Sequence, residues 1–182
     1  MKYQQIISDI IKGDYKPIYF LQGDEPYFID KICDLISEKI LSENEKAFNH
    51  IIVYGKDTGI SIEDIINNSK QYPMMANHRV VIVKEAQHLV KTIEKLSSYV
   101  ESPLDSTVLV ICYKSKKLDG RKPLGKLLKK KKYLFTSAKI KDYNLIDWII
   151  KQVTNHELKI QNKAAVLLSE LIGNDLSAIN SV

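Results

Sequence analysis

The chain has 182 residues, of which 45% are hydrophobic and 27% are charged, so it is long enough to bury a core without disulfides or metal ions. Its two cysteines, Cys33 and Cys112, lie in apolar patterns, and its four histidines are scattered, so we expect inert thiols and no metal site. The sequence has neither a signal peptide nor an apolar run of membrane-spanning length. We therefore expect a cytoplasmic protein that has no membrane partner.

The net charge of +5 is unevenly distributed along the chain. The segment between Lys114 and Lys141 contains twelve Lys or Arg residues and one acidic residue, Asp119, whereas the rest of the chain is net negative. A basic block on an acidic body indicates an anionic partner such as DNA, although a lysine-rich face that contacts only solvent has the same pattern. The candidate DNA-contacting residues in this block are Lys116, Lys117, Arg121 and Lys122.

The first half of the chain alternates between helical and strand patterns. Apolar residues at helical spacing predict a helix over residues 3–12, and an apolar run bounded by turn residues predicts a buried strand at about 18–22. A second helix should begin after Asp24 as its N-cap, with Pro26 in its first turn. The stretch "FNHIIVY" indicates another strand, and "SIEDIINNSK" indicates a short helix capped by Ser61.

The same alternation continues to residue 140. We predict a strand at Val80–Val83, a helix over residues 90–100 and a β-branched strand at Thr107–Tyr113. The stretch "PLGKLLKKKK" is typical of a short basic helix, and "YLFTS" is typical of a last strand. Strands separated by helices favour an α/β fold with a mainly parallel sheet that has helices on both faces.

Beyond residue 140 the strand pattern ends. Two amphipathic stretches, "YNLIDWIIKQVTNHEL" and "NKAAVLLSELIGNDLSAIN", predict helices, and Asp175 is a candidate cap of a further helix. We therefore expect an α/β domain over residues 1–140 and a small helical domain over residues 141–182. The residues expected to form the helical core are Trp148, Ile149, Val153, Leu167, Leu168, Leu171 and Ile172.

The junction between the first strand and the next helix, "YFLQGDEPYFIDK", lies where parallel α/β sheets bind phosphate. A phosphate-binding loop needs several glycines followed by Lys-Ser or Lys-Thr. This junction has one glycine, Gly23, followed by the carboxylates of Asp24 and Glu25, and it lacks the Lys-Ser/Thr pair. Two carboxylates beside the loop would repel a triphosphate.

A second departure follows the strand at Val80–Val83. An ATPase of this type needs an Asp after that strand to hold magnesium, and a Glu to orient water. Here Lys84 occupies the Asp position and Glu85 follows it. Both departures together predict a degenerate nucleotide site, with no catalytic residue, no metal and no cofactor.

Two methionines, Met74 and Met75, follow Tyr72 and Pro73 in the loop that precedes the strand at Val80–Val83. Met often fills gaps in a core, and this is one interpretation of the pair. Because the loop residues on both sides belong to no periodic element, exposed side chains that contact a partner are the other interpretation.

Four stretches together resemble the delta subunit of the bacterial DNA polymerase III clamp loader. They are "YFLQGDEPYFIDK", "YPMMANHRVVIVKEAQHL", "STVLVICYKSKKLDGRKPLGKLLKKK" and "DWIIKQV…KAAVLLSELIGNDLSAIN", and they keep the family's order over essentially all 182 residues. The resemblance implies an AAA+-like (P-loop NTPase-like) domain without ATPase activity, followed by a helical lid. The family's collar domain, which joins the subunits into a ring, is absent from the sequence, so we expect a piece of a longer protein.

In this family, the loop before the buried strand inserts paired apolar residues into a hydrophobic pocket of the sliding clamp, the beta subunit. The resemblance therefore implies a clamp-binding site that consists of Tyr72, Pro73, Met74 and Met75. The family commonly has Leu or Phe where this chain has the two methionines.

The resemblance also implies a role in DNA replication. The protein would open the clamp, together with the other clamp-loader subunits, as a non-catalytic component of the DNA-directed DNA polymerase holoenzyme, a nucleotidyltransferase complex.

Two alternatives from other functional classes remain open. One is a divergent NTPase that still binds nucleotide, which a nucleotide titration would detect. The other is a nucleic-acid-binding module that uses the basic block by itself, and salt-dependent DNA binding by this chain would support it.

Overall fold

The computed structural model describes residues 1–181, which divide into two compact units: Met1–Ser137, and the part of the chain that begins at Ala138. The sheet lies in the first unit, and the second unit is helical in its described residues. The expected domain boundary at residue 140 lies in the loop that follows this division.

Five parallel strands form the sheet of the first unit: β1 (Ile18–Gly23), β2 (His50–Tyr54), β3 (Arg79–Lys84), β4 (Thr107–Lys114) and β5 (Leu134–Ser137). They lie in the order β2-β3-β4-β1-β5, so β1 pairs with both β4 and β5. The predicted α/β class with a parallel sheet is confirmed. Because the strands are parallel, their carboxyl ends share one edge of the sheet, where such folds bind ligands.

Successive residues of the central strands point to opposite faces of the sheet. Phe20 and Ile111 belong to one hydrophobic cluster, whereas their neighbours Leu21 and Cys112 belong to another. Every residue of β1 is buried, and β3 and β4 are buried up to their last residue. Burial on both faces explains why these strands are continuous apolar runs in the sequence.

Helices supply the other side of each cluster. The cluster that contains Leu21 includes apolar residues of α1 (Tyr3–Ile11) and α2 (Pro26–Lys39). The cluster that contains Phe20 includes residues of α4 (Ile62–Ser69), α5 (Ser97–Glu101) and α6 (Pro123–Lys130). The prediction of helices on both faces is therefore confirmed.

The sequence pattern predicts a strand over the whole stretch "FNHIIVY", but only its last five residues form one. Phe48 and Asn49 end a helix, α3 (Glu43–Asn49), and β2 begins at His50. The backbone amide of Ser42 donates to the Glu45 carboxylate at 2.8 Å, which satisfies one amide at the start of α3. This bond favours a helix that continues through Phe48 and Asn49, for which the strand prediction is wrong.

The helix predicted over residues 90–100 is also wrong in its form. This segment contains a 3₁₀ turn at Ile93–Leu96, preceded by another at Ala86–Leu89, and only then α5. Ile93, Leu96 and Tyr99 are buried, at a spacing of three residues, whereas Val90 is exposed. Three residues per turn is the period of a 3₁₀ helix, so burial of both Ile93 and Leu96 favours the tighter winding of their turn, whereas Tyr99 already lies in α5.

The second unit contains α7 (Asp142–Asn155), α8 (Asn162–Ile172) and α9 (Leu176–Asn180). Asp175 caps α9 by accepting a hydrogen bond from the Ala178 amide at 2.9 Å, as predicted. The predicted core is only partly correct, because Leu167 and Leu171 are exposed. The buried residues of this unit are Leu145, Ile149, Ala165, Leu176 and Ile179.

Two types of feature are absent from residues 1–181. No helix in this range is long and apolar enough to cross a membrane. The same range holds no group of three or more His, Cys, Asp or Glu side chains arranged to hold a metal ion.

Candidate functional site

The loop that joins α4 to β3, residues 70–78, exposes three large apolar or aromatic side chains; we call it the methionine loop. The side chain of Met75 is 97% exposed, that of Met74 is 56% exposed, and that of Tyr72 is 77% exposed. Pro73 is partly buried, and Ala76 packs against the cluster that contains Leu21. The core-filling interpretation of the two methionines is therefore wrong, because both face solvent.

Asn49 holds the centre of the methionine loop. Its side-chain oxygen accepts from the Met74 amide at 2.7 Å, and its side-chain nitrogen donates to the Met74 carbonyl at 2.8 Å. Both polar groups of the Met74 backbone are thus satisfied by one side chain. The next residue, Met75, has a φ of 53°, a left-handed conformation that residues other than glycine adopt rarely.

Arg79, the first residue of β3, holds the beginning of the methionine loop. Its buried guanidinium donates to the Gln71 side chain at 2.8 Å, to the Asn68 carbonyl at 3.1 Å and to the Phe48 carbonyl at 3.3 Å. Burial lowers the pKa of this guanidinium. Its three acceptors join the end of α3, the end of α4 and the loop into one local structure.

Phe48 adds a further exposed apolar group beside the methionine loop. It is 61% exposed, and it directly precedes Asn49, whose side chain pairs with Met74. The sequence had placed Phe48 and Asn49 in a strand and did not identify either as a site residue. The signal that could have found them is the spacing of Ser42 and Glu45, because Ser-x-x-Glu marks the start of a helix.

Gly23, Asp24 and Glu25, three residues of the predicted degenerate nucleotide site, lie at and just beyond the carboxyl end of β1. Gly23 has a φ of 127°, and an added Cβ would lie 2.1 Å from the Ser137 carbonyl oxygen. Glycine is therefore needed here to let β1 and β5 approach. The amides of Asp24 and Glu25 donate to the Ser137 carbonyl and to the Ser137 hydroxyl, each at 3.3 Å, so both are used within the chain.

The N-cap of α2 is Glu25, not Asp24 as predicted. Glu25 has an extended backbone, and its buried carboxylate accepts from the Tyr27 amide at 3.2 Å. Asp24 instead accepts from the Lys117 ammonium. The start of a helix carries partial positive charge, which a bound phosphate neutralises in nucleotide-binding folds. Here the chain's own Glu25 carboxylate occupies that position.

Lysines at the end of β4 and in the segment that follows it pair with the carboxylates around this edge. Lys114 donates to Asp30 at 2.8 Å, and Lys117 pairs with Asp24. The Gln22 side chain accepts from the Leu118 amide at 2.8 Å and donates to the Thr136 hydroxyl at 3.1 Å, so it links this segment to β5. The edge is therefore occupied by contacts within the chain.

The predicted pair Lys84 and Glu85 lies at the carboxyl end of β3, two strands away from Gly23 in the sheet. Glu85 has a φ of 54°, and its carboxylate accepts from Lys56 at 3.3 Å. Burial and then Asp30 raise the pKa of Asp34 in α2, and the cation of Lys84 opposes that shift. Lys84 and Glu85 thus interact with neighbouring side chains of opposite charge.

The basic block places its four candidate DNA contacts in different surroundings. Lys117 is paired with Asp24, and Arg121 is paired with Asp119 at 3.0 Å, whereas Lys116 and Lys122 are exposed. A cation that is already paired with a carboxylate attracts phosphate less strongly, because the carboxylate repels the phosphate unless it is displaced. The exposed lysines of α6 and its C-terminal end are the better candidates, and they are Lys126, Lys129, Lys130, Lys131 and Lys132.

The two cysteines lie in one buried cluster, Cys33 on α2 and Cys112 on β4. Cys33 and Cys112 are both buried and form no disulfide. Hydrogen bonding to Cys33 and burial raise the pKa of Cys112 well above its usual value. A buried thiol whose pKa is raised is a weaker nucleophile than an exposed one at neutral pH.

Comparison with known proteins identifies the family. The sequence profile of the family described as DNA polymerase III, delta subunit, matches residues 19–138. The DNA polymerase III subunit delta of Bacillus subtilis (strain 168) is 28% identical over 177 residues, which covers 92% of this chain and 50% of the relative. The chain thus spans about half the length of the curated relative that it matches.

Solved structures share the fold. The Bacillus subtilis DNA clamp loader delta protein has a TM-score of 0.79 at 24% identity, over 99% of this chain and 55% of that chain. A DNA polymerase III gamma subunit-related protein from Thermotoga maritima has a TM-score of 0.57 at 15% identity, over 100% of this chain and 57% of that chain.

A third solved structure has a different role in DNA metabolism. The RuvB Holliday junction branch migration motor of Thermotoga maritima has a TM-score of 0.52 at 14% identity, over 98% of this chain and 58% of that chain. These structural likenesses show an AAA+-like fold. Since the delta-subunit profile matches well over half of the residues, the chain belongs to the DNA polymerase III delta subunit family.

Proposed function

We propose that this chain binds a sliding clamp through the methionine loop and stabilises the clamp's open form during DNA replication. The observation that carries the proposal is the exposure of Met75 and Met74, which are 97% and 56% exposed. They lie on a loop whose backbone is hydrogen-bonded to the Asn49 side chain. Exposed apolar side chains of this size on an ordered loop are typical of a small binding hot spot.

The free energy for clamp opening comes from binding. Burying each methionine in an apolar pocket contributes about 1.5–3 kcal/mol. A ligand shifts an equilibrium only by the difference between its affinities for the two states. The methionine loop therefore opens a ring to the extent that it binds the open form more tightly than the closed form.

We also propose that the chain acts without hydrolysing ATP itself. The Glu25 carboxylate at the start of α2, together with the pairing of Asp24 and Asp30 with lysines, supports this proposal. ATP bound by other clamp-loader subunits would control access to the methionine loop. The other clamp-loader subunits would be its partners in the assembled loader. DNA contact by the basic block would be weak and auxiliary.

The experiment that tests the proposal is a clamp titration with the double variant Met74→Ala, Met75→Ala. We expect the affinity for the sliding clamp of the same organism to fall by about 100-fold or more, because two buried side chains lose most of their apolar area. The fold should remain intact, because both side chains face solvent.

The matched control is Ile11→Ala, because the Ile11 side chain is 64% exposed in the same unit but lies on α1. We expect this control to bind the clamp as the wild-type chain does. An unchanged affinity in the double methionine variant would contradict the proposal. A fall of equal size in the Ile11 control would show that apolar surface in general, and not the methionine loop, is responsible.

A further inference from the structure

Asn49 provides the hydrogen bonds that hold the main chain of the methionine loop. Between Tyr72 and His78, no backbone group bonds to another backbone group within residues 1–181. The two bonds between the Asn49 side chain and Met74 are the hydrogen bonds made by the main chain in this interval. The position of Met74 therefore depends on a residue that is 25 positions away in the sequence.

The Asn49 side chain is itself held in a fixed orientation. The residue is fully buried, and its side-chain nitrogen also donates to the Glu45 carbonyl of α3 at 3.1 Å. Both hydrogens and the oxygen of the Asn49 side-chain amide are thus used in hydrogen bonds. These bonds fix the orientation of the amide group. The helix α3 therefore sets the direction from which Met74 is held.

The conformation of Met75 follows from this arrangement. Met74 is held at both its backbone amide and its backbone carbonyl, and Met75 continues the chain with a φ of 53°. At the start of the loop, Gln71 is held by Arg79, and after Met75 the Ala76 side chain packs inward. Met75 lies between these held points, and its side chain faces solvent.

We propose that Asn49 is a positioning residue for clamp binding, which holds the methionine loop in its binding conformation before the clamp arrives. This inference rests on the function proposed above. A loop that is already ordered loses less conformational entropy when it binds, so its affinity is higher than that of a mobile loop with the same side chains. Asn49 contributes to affinity in this way without contacting the clamp.

The test compares Asn49→Ala with Asn68→Ala in the full chain. The Asn68 side chain donates to the carbonyl four residues earlier, that of Asp64, at 2.9 Å, as Asn49 does to Glu45, but it makes no bond to the methionine loop. We expect Asn49→Ala to lower clamp affinity by about tenfold, since roughly one residue's backbone freedom is restored. We expect Asn68→Ala to leave the affinity unchanged.

Amide hydrogen exchange gives a second readout, which a purely stabilising residue would not change selectively. In the unbound wild-type chain, the Met74 amide should be protected, because Asn49 accepts its hydrogen bond. Protection should disappear in Asn49→Ala while the amides of β3 stay protected. If Asn49→Ala does not fold, Asn49→Leu decides, because it keeps the volume and removes both the donors and the acceptor of the Met74 amide.

The outcomes separate the two proposals. Failure of the wild-type chain to bind the clamp overturns both. If the wild-type chain binds and the double methionine variant does not, then wild-type affinity in Asn49→Ala and Asn49→Leu overturns the positioning role alone. An unprotected Met74 amide in the unbound wild-type chain also overturns it. Loss of both affinity and Met74 protection in the Asn49 variants supports it.

Discussion

Two of the three glycines with positive φ angles in the first unit, Gly13 and Gly23, differ in the space beside them. Gly13 has a φ of 80° and no atom within 4 Å of an added Cβ, whereas Gly23 has a φ of 127° and the Ser137 oxygen at 2.1 Å. An added methyl group at Gly13 therefore meets only backbone strain. At Gly23 it also collides with the main chain of β5.

This difference predicts unequal costs for two chemically identical substitutions. We expect Gly13→Ala to lower the free energy of unfolding by about 1 kcal/mol, which is the usual cost of a left-handed residue. We expect Gly23→Ala to lower it by about 3 kcal/mol or more, because strain and overpacking add. Urea denaturation of both variants measures the two costs, and equal costs would contradict the close approach of β1 and β5.

The roles of single residues are hard to predict from the sequence where they depend on contacts between residues that are distant in the chain. Met74 and Met75 are recognisable because they stand outside every periodic pattern. The role of Asn49 depends on its contact with Met74, and nothing local to Asn49 indicates that contact. The N-cap of α2 is Glu25 and not the predicted Asp24 for a similar reason. Lys117, which is distant in the sequence and lies in the segment after β4, pairs with Asp24.

The buried strands are the elements that the sequence predicts best. The predicted strand at Thr107–Tyr113 ends one residue short of the observed β4, and the prediction at Val80–Val83 lies within β3. Strands buried on both faces need apolar residues at every position, which leaves a continuous signal. The short helix α3 has Asn49 as its buried residue, so it shows no apolar period and was missed.

The helix α2 carries its own anion, which leads to a prediction about nucleotides. We expect millimolar Mg-ATP to leave the unfolding temperature of the chain unchanged, because the Glu25 carboxylate and the partial charge of the helix end already neutralise each other. A thermal unfolding series with and without Mg-ATP measures this. A rise in unfolding temperature that saturates with ATP would favour the divergent NTPase instead.

At the scale of the whole molecule, both hydrophobic clusters draw their residues from Met1–Ser137. The methionine loop, Asn49 and the degenerate nucleotide site also lie within this range. We therefore propose that the first unit is an independent domain, which carries the clamp-binding function by itself.

A fragment of residues 1–140 tests this proposal. We expect it to unfold in one cooperative thermal transition and to bind the sliding clamp with the affinity of the full chain, because its core and its methionine loop are complete. Calorimetry measures the transition, and a clamp titration measures the affinity. A fragment that unfolds without a cooperative transition would contradict the proposal.

The composition of the methionine loop has a consequence for oxidation. The chain has three methionines, and apart from Met1 they are Met74 and Met75. Oxidants of the peroxide class convert an accessible thioether into a sulfoxide, which is polar, and reductases reverse the change. Since Met75 is almost fully exposed, oxidative damage to methionine would fall on the proposed clamp-binding surface, and it would do so reversibly. A leucine at the same position would give an apolar contact without this sensitivity.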